Sequence, residues 1–304
     1  MIKNVLMCGI GAVGCIYADK IQAYNPDILK ILVDKKRLER YKNNPMKLND
    51  KELVFDYVLP ENNAYKADLI IITTKFDGLQ QACENIKNFV KEDTIIISLL
   101  NGVVSEDIIA KKYGWDKVLL SYWIGHSAMR VANEVTHDGF GKIFFGSKNK
   151  SDKNIQILKE FFDRAAIEYV IPEDMEYNLW LKFMLNVSTN QSSAVSRETF
   201  GQMQNNPKTK ELILNLMKEV QKVAKAEGVK NTENMIEDAL NSLSQMSPDG
   251  KTSMLQDVLA KRKTEVDIFA GTIIELAKKH NLSVPYNEKM KEQIEAIHRS
   301  YQCC

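Results

Sequence analysis

The first half of the chain alternates short, continuous apolar runs with stretches of helical periodicity. Val5-Leu6-Met7-Cys8, Ile31-Leu32-Val33, Leu69-Ile70-Ile71-Ile72-Thr73 and residues 94–100 show no polar alternation. Such runs suit parallel strands covered on both faces. A helical stretch over 13–24 follows the first run, and others separate the rest, so the pattern predicts βαβ units in a doubly wound sheet. Residues 53–58 read as an edge-type strand. Residues 117–125 and the stretch around Phe140 and Phe145 read as strands that close this domain.

The pattern changes near Pro172. Helical periodicity then dominates over 173–195, 208–227, 232–243, 253–280 and 287–301, and no strand is expected after Val170-Ile171. Breaks fall at Asn205-Asn206-Pro207, Gly228, Ser247-Pro248-Asp249-Gly250 and Pro285, all suited to turns. The expected organisation is an α/β doubly wound domain over 1–172 and an all-α domain over 173–304. A chain of 304 residues is long enough for two cores.

Charge narrows the functions available. The 41 basic and 40 acidic side chains leave a formal net charge of +1. That balance argues against broad electrostatic capture of nucleic acid or of an anionic membrane. Apolar runs such as 69–72 fall far short of the ~20 residues that span a bilayer. The opening Met1-Ile2-Lys3-Asn4 leads straight into a strand-like run rather than a secretory signal. Cys8, Cys15, Cys83, Cys303 and Cys304 form neither a CxxC pair nor a metal-binding spacing. They read as reduced thiols of a cytoplasmic protein, with the last two in an inert tail.

Gly9-Ile10-Gly11-Ala12-Val13-Gly14 is a GxGxxG that follows a strand and opens a helix. In that context Gly9 permits a tight turn, Gly11 lets the backbone approach a pyrophosphate and Gly14 lets helix and strand pack closely. The helix N-terminus then offers N–H groups to the anion. Asp34, 20 residues after Gly14, suits the ribose 2′-hydroxyl of NAD, whereas Lys35, Lys36 and Arg37 suit the 2′-phosphate of NADP. Thr73-Thr74-Lys75 and Asn101-Gly102 end two further strands, where ligands of open α/β sheets bind.

In the second half Lys182, Asn186 and Asn190 stand at i, i+4 and i+8, forming one stripe on a helix. Trp180, Leu181, Phe183, Met184, Leu185 and Val187 surround them. A helix this apolar is largely buried, so its polar stripe should line a cleft. Desolvation there favours the neutral amine, which suits proton transfer near neutral pH. Ser253-Met254-Leu255-Gln256-Asp257 reads as a helix start at which Ser253 caps the helix, binds a carboxylate, or does both. Glu265 follows 12 residues later as a partner for a basic group or a ligand hydroxyl.

These pieces occur together in one family. The glycine loop, Thr74-Lys75, Asn101-Gly102-Val103, Leu179-Trp180-Leu181-Lys182 with Asn186 and Asn190, Ser253-Met254-Leu255-Gln256-Asp257 and Thr264-Glu265-Val266-Asp267 resemble, in order, the ketopantoate reductases (2-dehydropantoate 2-reductases). The resemblance implies a Rossmann domain followed by a helical domain like that of 6-phosphogluconate dehydrogenase, with substrate in the cleft between them. It implies reduction of 2-dehydropantoate to (R)-pantoate with NADPH, a step toward pantothenate and coenzyme A, with NADH as the alternative cofactor. Lys182 would donate the proton, and Asn186, Asn190 and Ser253 would hold substrate. The glycine loop, Asp34, Lys75, Asn101, Ala128 and Glu265 would face the cofactor or the reacting centre. Asp34 stands where NADPH-using members commonly carry a basic residue. Phe200 stands where an asparagine often joins the substrate site, which would suit a reductase of another branched 2-keto acid. His126 is a rival proton donor, and a non-catalytic dinucleotide sensor is the reading that dispenses with one. The expected partners are a small 2-keto acid and, at most, a second copy of the chain in a homodimer.

Overall fold

The computed structural model describes residues 1–125, 128–148 and 153–301; His126, Cys303 and Cys304 lie outside the described residues. The chain divides into two compact units, Met1–Met175 and Glu176–Cys304.

The first unit is α/β. Its strands are β1 (Val5–Cys8), β2 (Leu29–Leu32), β3 (Met46–Leu48), β4 (Lys51–Leu53), β5 (Tyr57–Val58), β6 (Leu69–Ile72), β7 (Ile95–Ser98), β8 (Val118–Ile124), β9 (Ala128–Val131), β10 (Glu134–His137), β11 (Lys142–Gly146) and β12 (Tyr169–Val170). Helices α1 (Ala12–Tyr24), α2 (Lys35–Asn43), α3 (Leu79–Asn85), α4 (Ser105–Tyr113) and α5 (Lys153–Arg164) alternate with them. Eight strands form one sheet in the order β12-β11-β8-β7-β6-β1-β2-β5. β1 pairs in parallel with β2 on one side and β6 on the other, so the winding reverses between β1 and β6. A reversal of this kind opens a crevice at the carboxyl ends of the strands.

The apolar runs earn their strands by having two faces to cover. Val5, Met7, Leu69, Ile71, Ile95 and Ile97 enter the core on one side of the sheet. Their neighbours Leu6, Cys8, Ile70, Ile72 and Ile96 enter the core on the other. The period of two is present, but both sets are apolar, which is why no alternation shows in the sequence.

The expected edge strand over 53–58 is two strands in different sheets. Tyr57–Val58 pairs with β2 at the edge of the large sheet. Lys51–Leu53 pairs antiparallel with β3 through a tight turn at Asn49 and Asp50, whose φ values of 45° and 66° are left-handed. This hairpin belongs to a second sheet, β4-β3-β10-β9, that the hydrophobic pattern did not announce. Its strands are three or four residues long and carry Lys47, Glu52, Arg130 and Glu134.

The second unit is helical. It holds α6 (Met175–Leu185) from its second residue onward, then α7 (Gln191–Ser196), α8 (Phe200–Asn205), α9 (Pro207–Ala226), α10 (Met235–Ser244), α11 (Ser253–Leu259), α12 (Thr272–Lys279) and α13 (Pro285–Ser300). Two wide π segments, Asn186–Asn190 and Asp267–Gly271, connect α6 to α7 and lead into α12. The single helix expected over 253–280 is therefore broken. Lys261 adopts a left-handed φ of 52°, and the Asp257 carboxylate accepts from Arg262 Nε at 2.7 Å, which turns the chain after α11. No described helix is long and apolar enough to cross a membrane.

Candidate functional site

In the first unit the glycine loop is shaped by its neighbour strand as much as by its own residues. Gly9 has φ +106°, and a Cβ there would lie 3.0 Å from the Thr73 carbonyl and the Thr74 nitrogen. Thr73 Oγ1 donates to the Gly9 carbonyl at 2.6 Å. A Cβ on Gly14 would meet both that carbonyl oxygen and Thr73 Oγ1 at 2.3 Å, so only glycine fits. At Gly11 a Cβ would meet only Thr73 O, at 3.8 Å, so its free side is open. Gly11 caps α1 without a side chain, and the first turn, with Ala12 and Val13, carries no acidic residue. An open glycine in front of uncapped helix N–H groups is what a pyrophosphate requires. The Thr74 hydroxyl is buried without a hydrogen-bond partner among the described residues. A buried polar atom left unpaired beside this loop fits a ligand oxygen. The residues present thus fit a dinucleotide.

Ile10 is buried, and its carbonyl accepts from Arg130 Nη1 at 2.7 Å. Arg130 also donates from Nε to Ala132 O at 2.8 Å and from Nη2 to the Tyr41 hydroxyl at 3.4 Å. It thereby ties the loop to β9 of the small sheet and to α2. Nothing local in the sequence marks this residue, because its partner lies 120 positions away.

Asp34 is the N-cap of α2, its Oδ1 accepting from the Arg37 backbone N–H at 2.7 Å. Its Oδ2 accepts from Arg37 Nη1 at 3.0 Å. Arg37 is therefore folded onto Asp34, while Lys35 and Lys36 are exposed. Lys75 is exposed just past the end of β6, and Ala128 opens β9 half-buried, opposite His137.

The Asn101-Gly102 turn, with Gly102 at φ +102°, leads into α4 over a buried polar cluster. Glu106 is 1 % exposed. Its Oε2 accepts from Ser105 Oγ at 2.7 Å, its Oε1 accepts from the Ser121 N–H at 3.3 Å, and Ser98 Oγ donates to Ser105 Oγ at 2.9 Å. Burial pushes the Glu106 carboxyl up to about 7, against the pull of the Ser105 hydroxyl. Sequence reading missed Glu106; an acidic residue in a first helical turn looks like an ordinary exposed dipole partner.

The second unit carries the polar stripe. Lys182 and Asn186 are half-buried and Asn190 is buried. Asn190 Nδ2 donates to Asn186 Oδ1 at 3.3 Å. Asn190 Oδ1 accepts from Ser253 Oγ at 3.1 Å and from the Met254 N–H at 3.1 Å. Asn186, Asn190 and Ser253 are thus joined in one hydrogen-bonded chain, reaching from the helix of Lys182 to the first turn of α11. The cap of α11 is Thr252, not Ser253: Thr252 Oγ1 accepts from the Leu255 N–H at 3.1 Å. Ser253, relieved of capping, is exposed and free to turn its hydroxyl to a ligand as well as to Asn190.

Phe200 packs on the turn before α11. Its N–H donates to Gly250 O at 3.0 Å, and a Cβ on Gly250 would lie 3.0 Å from its ring. Glu265 is half-buried just ahead of the second π segment. Beside it the Thr264 N–H donates to His298 Nε2 at 3.2 Å. Burial, then the Lys263 charge, holds His298 below its usual value, in keeping with a neutral ring that accepts this bond.

Comparison with known proteins agrees with this division. Residues 5–150 match the family model described as "Ketopantoate reductase PanE/ApbA", and residues 174–298 match "Ketopantoate reductase PanE/ApbA C terminal". The chain is 22% identical to the 2-dehydropantoate 2-reductase of Vibrio cholerae, covering 98% of this chain and 99% of that protein. It is 30% identical to the 2-dehydropantoate 2-reductase of Pyrococcus horikoshii over 73% of each. Among solved structures, a D-mandelate dehydrogenase with NADH and anilino(oxo)acetate shares the fold at a TM-score of 0.85, with 20% identity and coverage of 98% of this chain and 99% of that one. The fold is accordingly a Rossmann-type α/β unit followed by an all-α unit, and the family of the two matching models uses a nicotinamide dinucleotide. With both halves matched in order, this chain belongs to the ketopantoate reductase family.

Proposed function

We propose that the chain reduces 2-dehydropantoate to (R)-pantoate with NADPH. The observation that carries this reading is the hydrogen-bonded chain Ser253–Asn190–Asn186, one turn beyond Lys182 on the same helical run. Two carboxamides and a hydroxyl suit a substrate that presents a carboxylate and a hydroxyl. The ammonium of Lys182 would meet the ketone oxygen, steady the negative charge that grows there and deliver the proton. When bound, the nicotinamide supplies the hydride. Gly9, Ile10, Gly11, Ala12, Val13 and Gly14 would hold the pyrophosphate against the start of α1. Lys35 and Lys36 would face a 2′-phosphate, and Lys75, Asn101, Ala128 and Glu265 would contact the cofactor or the reacting centre. We place the protein in the cytoplasm. Cys8, Cys15 and Cys83 are buried free thiols, the state that a reducing compartment maintains.

Two observations favour a second reading, a reductase of another branched 2-keto acid using NADH. The Asp34 carboxylate would repel a 2′-phosphate, and it neutralises Arg37. Phe200 stands where an asparagine often joins the substrate site, and an apolar ring there would suit an aliphatic tail. The deciding experiment is kcat/KM for 2-dehydropantoate and for 2-ketoisocaproate, each with NADPH and NADH. The highest value for 2-dehydropantoate with NADPH upholds the first reading. The highest value for 2-ketoisocaproate with NADH replaces it with the second. No reduction of either acid overturns both.

A further inference from the structure

The helix bearing the stripe is wound as a π turn over Asn186–Asn190. Four residues overshoot one turn of an α-helix, which takes 3.6, but fall short of a turn closed by i→i+5 bonds. The step from Lys182 to Asn186 therefore drifts one way around the axis, and the step from Asn186 to Asn190 drifts back. On an uninterrupted α-helix the two ends of the stripe would sit about 80° apart on one face; a wide turn over Asn186–Asn190 narrows that spread.

Side chains of this segment bond back onto its own carbonyls. Ser188 Oγ donates to Met184 O at 2.7 Å and Thr189 Oγ1 to Leu185 O at 2.7 Å. Gln191 Nε2 donates to Val187 O at 2.8 Å, inside the turn itself, and to Asn287 Oδ1 at 3.0 Å. Asn287 Nδ2 in turn donates to Glu219 Oε2 at 2.8 Å. Glu219 also accepts from the N–H groups of Tyr286 at 2.8 Å and Asn287 at 2.9 Å, in the first turn of α13. Gln191 and Asn287 are fully buried, and Glu219 is 7 % exposed.

This relay has one direction. A carboxylate only accepts, so Asn287 must turn its NH₂ to Glu219 and its oxygen to Gln191. Gln191 must then spend both its N–H groups, one on Asn287 and one on the π turn. Its Oε1 is left buried without a hydrogen-bond partner among the described residues. Packing alone would not select such an arrangement, because an apolar side chain of similar size would fill the space without an orphaned oxygen.

We propose that Gln191 is a positioning residue for the substrate stripe, its amide oriented through Asn287 by Glu219 so that the π turn keeps Lys182, Asn186 and Asn190 on one face. The proposal rests on the stripe being the substrate site, as read above. The test is Gln191→Leu, Asn287→Ala and the double variant, compared in steady-state kinetics with the preferred keto acid, in titrations of cofactor alone and in thermal melts. The expected result for each single variant is a KM for the keto acid raised tenfold or more, with the cofactor dissociation constant within twofold of wild type. The double variant should be no worse than the worse single, since both break one relay. A purely structural role would instead lower Tm and the active fraction, and so kcat, at unchanged KM. A folded Gln191→Leu enzyme with KM within twofold of wild type, or fully additive effects in the double variant, overturns the proposal. Should Gln191→Leu not fold, Asn287→Ala is judged by the same KM criterion. Lys182→Ala and Asn190→Ala are run beside them. Full activity in those two brings down the site reading itself, whereas losses in those two with an unchanged Gln191→Leu overturn only the relay.

Discussion

Glu106→Gln removes a charge from a place where burial opposes it. The native carboxyl titrates at about 7 against an ordinary value of 4.5. That difference is worth about 3 kcal/mol at about 1.36 kcal/mol per pH unit. The sign follows from which state holds the proton more tightly. The folded state does, so this contribution to stability is fully present below about pH 4.5 and is lost as pH rises through about 7. Glutamine stays neutral throughout. Its oxygen can accept from the Ser121 N–H, and its NH₂ can donate to Ser105 as a protonated glutamate would. The assay is urea unfolding of both proteins at several pH values from 5 to 8, followed by the fluorescence of Trp115, Trp123 and Trp180. Only the difference between the two proteins is read, so every other titrating group cancels. Glu106→Gln should gain about 2–3 kcal/mol on wild type between pH 5 and pH 8. Parallel stability curves, within about 0.5 kcal/mol, would refute the argument that burial governs this carboxyl.

Three other outcomes are expected. Lys182→Ala should lower kcat by roughly 10²–10⁴ while cofactor binding stays near normal, and near-normal turnover removes Lys182 as the proton donor. Gly14→Ala forces a Cβ to 2.3 Å from the Gly9 carbonyl, so it should cost about 1–3 kcal/mol in stability and weaken cofactor binding, both read in thermal melts with and without NADPH. Arg130→Ala frees the Ile10 carbonyl and should raise the KM for cofactor roughly tenfold while leaving the keto-acid KM alone; equal changes in both would show that the arginine acts elsewhere.

What was legible in the sequence was whatever repeats along the chain. The main sheet could be read because β1, β6 and β7 are buried on both faces and so write unbroken apolar runs. The stripe could be read because polar residues at helical spacing stand out in an apolar segment. The small sheet could not, since strands of three or four residues with charged residues among them look like a loop. The break after α11 was hidden because Lys261 takes a left-handed turn without glycine or proline to mark it. Assigning the cap to Thr252 rather than Ser253 needed the coordinates, because neighbouring hydroxyl residues carry the same signal at a helix start. Arg130 and the Glu219–Asn287–Gln191 relay act across distances of 67 to 120 residues, which no local pattern encodes.

The bond from Thr73 to the Gly9 carbonyl makes the proposed nucleotide grip hostage to strand alignment. β6 runs beside β1 with Ile72 opposite Cys8, which delivers the threonine hydroxyl to the loop. Slide β6 by a single residue and a bulky isoleucine, or a side chain aimed at the opposite layer, would arrive there instead. Insertions or deletions anywhere between Leu69 and Thr73 would therefore be read out first as lost dinucleotide affinity, well before the sheet itself gave way.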